Sequence, residues 1–322
     1  MKDTVLYYVI PCYNEEEVLP ETAQRLLKKY NQLTEEGRVS SKSRILFVND
    51  GSSDRTWEII SSLHKKNPVF SGLSLSRNRG HQNALMAGLM MAKDFCDISI
   101  SMDADLQDDI EASDEMIAKY EDGCDIVYGV RNNRDTDTAF KRGTAGMFYR
   151  IMEKMGVSMV SNHADYRLMS RRALLGLSQF KEVNLFLRGI VPMIGYKSDK
   201  VYYERAPRFA GKSKYPLSKM MSFAFEGITS LSVVPIRIIT NIGVGVFLVS
   251  IFLLIWGIVQ KIRGVTVAGW SSLIVSIWAI GGLILLSIGI VGEYVGKIYL
   301  ETKGRPRFLI DECLNDGAKK ED

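Results

Sequence analysis

The chain is short of several features that would assign it to a class. It has four cysteines (Cys12, Cys96, Cys124 and Cys313) with no CxxC pair, and three histidines that form no Cys/His cluster. That spacing excludes a zinc-finger ligand set and gives no basis for a disulfide framework. The thiols are expected to be reduced, as in a cytosolic domain. No long basic run occurs and the formal net charge is only +4, so nucleic acid is not an expected partner. Residues 5–10 are apolar, but the stretch is too short for a signal peptide and leads straight into a polar motif. The large N-terminal part is therefore expected on the cytoplasmic side. Internal repeats and low-complexity segments are also lacking.

The most informative absence is of charge. Residues 238–260 and 264–292 carry no ionisable side chain, over 23 and 29 residues. A helix needs about 20 apolar residues to cross the hydrocarbon core of a bilayer. Two transmembrane helices are predicted, at about 238–260 and 271–293. Buried core helices are the alternative, and they rarely run so long without a charge. Lys212, Lys214, Lys219, Arg237, Lys297, Lys303, Arg305 and Arg307 flank the runs on the predicted cytoplasmic side. Lys261 and Arg263, in the short outer loop, go against that pattern. Just before the first run, Met220, Phe223, Phe225, Ile228 and Leu231 recur at helical spacing. This fits an amphipathic helix in the membrane interface, and equally an ordinary domain helix.

The first 130 residues alternate between two periodicities. Strands are predicted at 5–10, 44–48, 70–76, 98–102 and 126–130, and helices at 15–31, 54–66, 83–92 and 110–121. Alternation at this spacing implies an α/β fold with a doubly wound, mostly parallel sheet. Ligands of such sheets bind beyond the carboxyl ends of the strands, and the unusual polar motifs fall there.

Three motifs carry chemistry. Asp103-Ala104-Asp105 with Gln107 follows a strand apolar enough to be buried. Two carboxylates at i and i+2, plus an amide oxygen, suit a hard cation such as Mg²⁺ or Mn²⁺, which completes its shell with phosphate oxygens and water. A solvated acidic loop is the plain alternative. At the end of the first strand, Pro11 fixes a turn, Tyr13 offers a ring to a base or ribose, and Glu15 offers an acceptor. Asn14 could instead cap the next helix. At the end of the second strand, Asp50 could accept from the edge of a base, and Gly51 permits a left-handed turn. A simple turn would use the same residues.

Taken in order, IPCYNEE, VNDGSSD, SRNRGHQNALMAG and SMDADLQD resemble the family 2 glycosyltransferases of the GT-A fold. The two apolar runs narrow the resemblance to the polyprenyl-phosphate glycosyltransferases, the group of dolichol-phosphate mannose synthases and bacterial undecaprenyl-phosphate glucosyltransferases. The resemblance spans essentially the whole chain. It implies that Pro11, Tyr13 and Glu15 grip the nucleoside and that Val48 and Asp50 serve the base. It places Arg79 in the nucleotide pocket, Ala104 beside the ribose and Arg131 near the phosphates. Asp103, Asp105 and Gln107 match the metal positions, Arg208 and Lys214 a pair contacting diphosphate and acceptor phosphate, and Asp165 an acid described as catalytic. A lipid phosphate is largely deprotonated near neutral pH, its second pKa being about 6. A strong base is then less necessary, and an orienting role for Asp165 stays open.

The expectation is thus a hexosyltransferase. It would invert configuration, depend on Mg²⁺ or Mn²⁺, and move a sugar from a nucleotide diphosphate sugar, a UDP-hexose, to undecaprenyl phosphate. The product would be a lipid-linked monosaccharide for the cell envelope. A processive polysaccharide synthase is the first alternative, but no Arg-Trp pair of its QxxRW-type motif occurs. A catalytically inactive membrane scaffold is the second, against which stands the intact Asp103/Asp105 pair. The expected organisation is a cytoplasmic GT-A catalytic domain over 1–215, an interfacial segment over 216–236, two spans within 237–297 and a cytoplasmic tail over 298–322. The expected site is a multi-pass position in the plasma membrane. Association into a homo-oligomer is compatible with this and is not specified by it.

Overall fold

The computed structural model describes residues 3–132, 163–204, 229, 232–263 and 269–317. Arg208 and Lys214 lie outside the described residues, as do Lys212, Lys219 and most of the predicted interfacial segment. The chain first alternates strand and helix, through β1 (Leu6–Cys12), α1 (Leu19–Glu35), β2 (Arg44–Asn49), α2 (Thr56–Lys66) and β3 (Phe70–Leu75). It continues through α3 (His81–Ala92), β4 (Ile98–Ser101), α4 (Ala112–Glu121) and β5 (Ile126–Arg131). Each of these elements was legible in the hydrophobic periodicity to within a few residues. Then come β6 (His163–Ser170), α5 (Arg171–Ser178), α6 (Leu187–Met193) and β7 (Ser198–Tyr203), followed by α7 (Val234–Ile262), α8 (Trp270–Thr302) and β8 (Ile310–Leu314).

The strands form one sheet in the order β7-β5-β6-β4-β1-β2-β3-β8. The run β4-β1-β2-β3 is parallel, as the alternation requires. β6 runs antiparallel between β4 and β5, and β8 pairs antiparallel with β3. The sheet is therefore mixed. β1 is buried along its whole length, as a central strand covered on both faces must be. Leu6, Tyr8 and Ile10 face the cluster that contains α1 and α4, whereas Tyr7 and Val9 face the one that contains α3, following the period of two. Fully burying each large apolar side chain contributes about 1.5–3 kcal/mol.

On α1, Leu19, Ala23, Leu26, Tyr30 and Leu33 make one buried stripe. The helix starts four residues later than its sequence pattern predicts. Val18 stands at its N-cap position without a side-chain bond, so Asn14 is not the cap. Lys29 lies within this helix. Its buried ammonium is held at 2.6 Å by both Glu111 and Asp114 of the α4 region. The pairing is what makes burial of that charge tolerable.

α7 and α8 stand apart from the sheet. Segments Val234–Leu253 and Ala279–Thr302 are long and apolar enough to cross a membrane, and none of either is buried. Phe247, Phe252 and Leu285 are at least 64% exposed. The alternative of two buried core helices is thereby removed. The tail beyond α8 returns to the sheet as β8, and Asn315 accepts from the hydroxyls of Tyr7 (3.3 Å) and Ser71 (3.0 Å).

Candidate active site

Because β4, β1 and β2 are adjacent and parallel, their carboxyl ends share one edge of the sheet. Three of the sequence motifs start there. Pro11 sits in β1 opposite Val48 of β2. The carbonyl of Val9 receives Met102 of the β4 side, and that of Cys12 receives Asp50 of the β2 side. Alternation then points the missing N–H of Pro11 toward β4, whose pairing with β1 has already ended at Ser101. A proline is tolerated there because no ladder bond is lost. Among the described residues, the two non-glycine positions with positive φ are Asn14 (52°) and Leu106 (57°), one in each flanking motif. Strained backbone of this kind concentrates at functional loops.

Asp50 organises the loop before α3. It is 2% exposed, and its two carboxylate oxygens accept from the backbone N–H groups of Arg79 (2.7 Å) and Gly80 (2.9 Å). Burial raises its pKa, with those N–H groups working against the rise. Each oxygen keeps a further lone pair for a ligand. Gly51 has φ 61°, and a Cβ there would lie 2.5 Å from Arg77 and Asn78 backbone. Nε of Arg79 is buried with no partner among the described residues. Asn14 ties the first motif to the second, its Oδ1 accepting from Ser53 N at 2.9 Å. Val48 is fully buried, and a Cβ on Gly88 of α3 would meet its Cγ2. It supports the Asp50 turn from below and does not line the surface. Tyr13 is 41% exposed at the rim.

The acidic motif follows β4. Ala104 is buried, and its carbonyl accepts from Thr22 of α1 at 2.8 Å. Asp105 Oδ1 accepts from Gln107 N at 3.2 Å. Asp108 is 4% exposed, accepts from Tyr203 OH at 2.5 Å and lies 3.7 Å from Arg131 Nη2. Burial, and then the charge of Asp103, push its carboxyl up to about 6. Asp108 Oδ2 is buried with no hydrogen-bond partner among the described residues. Negative charge is thus in excess around Asp103 and Asp105. Two carboxylates and an amide oxygen are hard donors that fit a divalent cation needing further oxygens from phosphate and water. Among the described residues, no group of three or more His, Cys, Asp or Glu side chains is gathered to hold an ion.

Asp165, on β6, is the centre of a second cluster. Arg167 Nη2 reaches it at 2.6 Å and Arg188 Nη2 at 3.1 Å. Nε2 of His81 stands 3.5 Å from both Asp165 Oδ2 and Asp103 Oδ1, joining this cluster to the acidic motif. Burial opposes ionisation of Asp165, but Arg188, then His81 and Arg167, overcome it and hold the carboxyl well below the usual carboxylate range. Burial likewise opposes protonation of His81, and Asp165 and Asp103 outweigh it, raising the imidazole to about 9.

The fold therefore brings together Pro11, Asp50, Arg79, Asp103, Ala104, Asp105, Gln107, Arg131 and Asp165, with Tyr13 and Glu15 on the adjoining loop. Arg208 and Lys214 lie outside the described residues. Sequence reasoning missed Arg167, Arg188, Tyr203 and the contacts of His81. Arg167 could have been found, since residues two apart on a strand share a face. Arg188 and Tyr203 reach the site from distant elements and leave no local signal.

The family described as Glycosyl transferase family 2 matches residues 7–176. The chain is 55% identical over 307 residues to "Uncharacterized glycosyltransferase YkoT" of Bacillus subtilis (strain 168), covering 95% of this chain and 91% of that one. It is 40% identical over 304 residues to the bactoprenol glucosyl transferase of Shigella phage SfX, covering 94% and 97%. Among solved structures, it is similar to the mannosyltransferase PcManGT from Pyrobaculum calidifontis in complex with GDP-Man and Mn²⁺. That match is at 14% identity and TM-score 0.46, over 93% of this chain and 86% of that one.

Proposed function

Because the chain belongs to glycosyl transferase family 2, and is therefore a glycosyltransferase, we propose that it transfers a hexose from a UDP-hexose to the phosphate of a polyprenyl carrier, undecaprenyl phosphate. The observation that carries this reading is the open acidic pair Asp103–Asp105 on the same sheet edge as the Asp50 turn, in a chain that also has two membrane-length helices. The 40% identity to a bactoprenol glucosyl transferase, whose named acceptor is a polyprenol, supports the choice of carrier.

In this reading Pro11, Tyr13, Glu15, Asp50 and Arg79 bind the nucleoside, with Val48 beneath them and Ala104 beside the ribose. Asp103, Asp105 and Gln107 would hold Mg²⁺ or Mn²⁺, and the ion when bound supplies charge neutralisation for the nucleoside diphosphate. Arg131 adds a cation beside the phosphates, and Arg208 and Lys214 clamp the acceptor phosphate. A carrier phosphate oxygen forms a bond to the anomeric carbon as the bond to the diphosphate oxygen breaks. One such displacement inverts configuration. Asp165 acts as an electrostatic post. A carboxylate held well below its usual range is a weak base, and the phosphate nucleophile is already largely deprotonated near neutral pH.

α7 and α8 cross the plasma membrane twice in this reading, the sheet staying cytoplasmic. The pairing of β8 with β3 supports it, because the end of α8 must lie on the side of the sheet. The domain division that goes with this reading is a catalytic domain over 1–215, an interfacial segment over 216–236, two spans within 237–297 and a cytoplasmic tail over 298–322, whose β8 pairs with β3.

The test is a panel of labelled nucleotide sugars incubated with polyprenyl phosphate and the purified chain, with and without excess chelator. Label in the organic phase, lost on chelation, is the expected result. A water-insoluble polymer would instead favour a processive synthase, and label that never enters lipid with any donor would refute the reading.

A further inference from the structure

The loop between α5 and α6 is fastened from outside by groups distant in sequence. Glu301, in the last turn of α8, accepts from Val183 N at 2.8 and 2.9 Å with its two oxygens and from Asn184 N at 3.0 Å. Its Oε1 also receives Asn184 Nδ2 at 3.4 Å. Arg307 donates to the carbonyl of Phe180 at the start of the same loop. At the far end, Gln82 of α3 accepts from Leu187 N at 2.8 Å. Leu187 is the first residue of α6, and Arg188 the second. Arg188 pairs with Asp165, which is joined to His81, the neighbour of Gln82. A continuous set of bonded groups therefore runs from the end of an apolar helix to the acid at the centre of the site.

We propose that Glu301 is a positioning residue for the transfer reaction: it holds the 183–184 turn so that α6 presents Arg188 to Asp165, and thereby ties the depth of α8 to the geometry of the site. This rests on the transferase reading above. The physical reason is local. A loop loses backbone entropy on ordering, and here the two consecutive N–H groups that enter the turn are bonded by one carboxylate. A charged acceptor makes stronger bonds than a neutral one. Without it those N–H groups turn to water and the approach to α6 slackens. Leu187, Ile190 and Val191 are still buried, so α6 stays folded while Arg188 loses its fixed aim. A shift of that kind costs rate more than it costs fold or donor binding.

The experiment uses the full chain in detergent or bilayer discs. Glu301→Ala should lower kcat by about tenfold, within the range of coupled neighbours, and leave KM for the donor within about twofold. Glu301→Gln, which keeps an acceptor oxygen, should recover most of the rate. Glu301→Ala combined with Arg188→Ala should be no slower than Arg188→Ala alone. Amide exchange at Val183 and Asn184 should quicken in Glu301→Ala. Wild-type kcat in Glu301→Ala, losses that multiply in the double variant, or unchanged amide exchange would each overturn the proposal. If Glu301→Ala does not fold, Glu301→Asp, which draws the carboxylate back from the Val183 and Asn184 N–H groups, closes the same cycle with Arg188→Ala. A wild-type chain that transfers no sugar to lipid refutes the function instead, and the amide-exchange comparison still decides the Glu301 link.

Discussion

Arg167 and Asp165 lie two residues apart on β6 and meet at 2.6 Å, with the arginine side chain 1% exposed. Nε and Nη1 of Arg167 are buried without a hydrogen-bond partner among the described residues. Asp165 is thus the counter-charge of a buried guanidinium as well as a wall of the site. Asp165→Asn should therefore destabilise the chain by about 3–5 kcal/mol, the cost of leaving a buried charge unpaired. Arg167→Met, which removes the charge itself, should cost less. Melting of both variants in detergent checks this. The reverse order would mean that Asp165 is not what makes Arg167 tolerable. Loss of activity in Asp165→Asn is not evidence for a general base unless the melting temperature is measured beside it.

The same pair sets a pH dependence. In the folded chain the Asp165 carboxyl is held well below the usual carboxylate range. The unfolded chain binds its proton first as pH falls. The stability from this group is present above about 3.8 and is lost as pH drops through the folded value. Arg167→Met takes away one cause of the lowering, so the acid-unfolding midpoint should move to higher pH. An unchanged midpoint would show that Arg188 and His81 suffice.

Asp103→Ala and Asp105→Ala should each reduce transfer by about a thousandfold, since metal neutralisation is worth several kcal/mol and each decade of rate is about 1.4 kcal/mol. Both residues follow β4 outside any helix or strand, so the melting temperature in chelator should change little. Mn²⁺-dependent binding of UDP should disappear in parallel. Normal binding in either variant would remove that residue from the metal assignment.

Gly51→Ala places a Cβ 2.5 Å from the backbone of Arg77 and Asn78, at φ 61°. The left-handed backbone alone costs about 1–2 kcal/mol, and the overlap must displace the turn that Asp50 holds. The expected result is a raised KM for the nucleotide sugar together with a lower melting temperature. A variant with normal KM would separate the turn from donor binding.

Asn315→Ala leaves the hydroxyls of Tyr7 and Ser71 without their acceptor. Buried groups stranded in this way cost about 1–3 kcal/mol. The melting temperature should fall while the donor KM stays constant, because β8 lies on the β3 edge and not at the carboxyl ends of β4 and β1. A kinetic defect without a stability defect would contradict that placement.

Much of this was written in local patterns. The alternation of apolar runs through residue 131 determined five strands and four helices, because each pattern reports which face of a single element is buried. The uncharged runs determined two membrane-length helices, since length and apolarity are properties of the segment alone. The i, i+2 aspartates and the turn at Asp50 were legible because their chemistry lies in adjacent residues. Only the tertiary structure decided that β6 enters antiparallel between β4 and β5, and that the tail returns as β8. Only it brought Arg188, His81 and Tyr203 to Asp165 and Asp108. Strand order and ion pairs between distant elements are set by packing across the sheet, where sequence separation carries no information about distance.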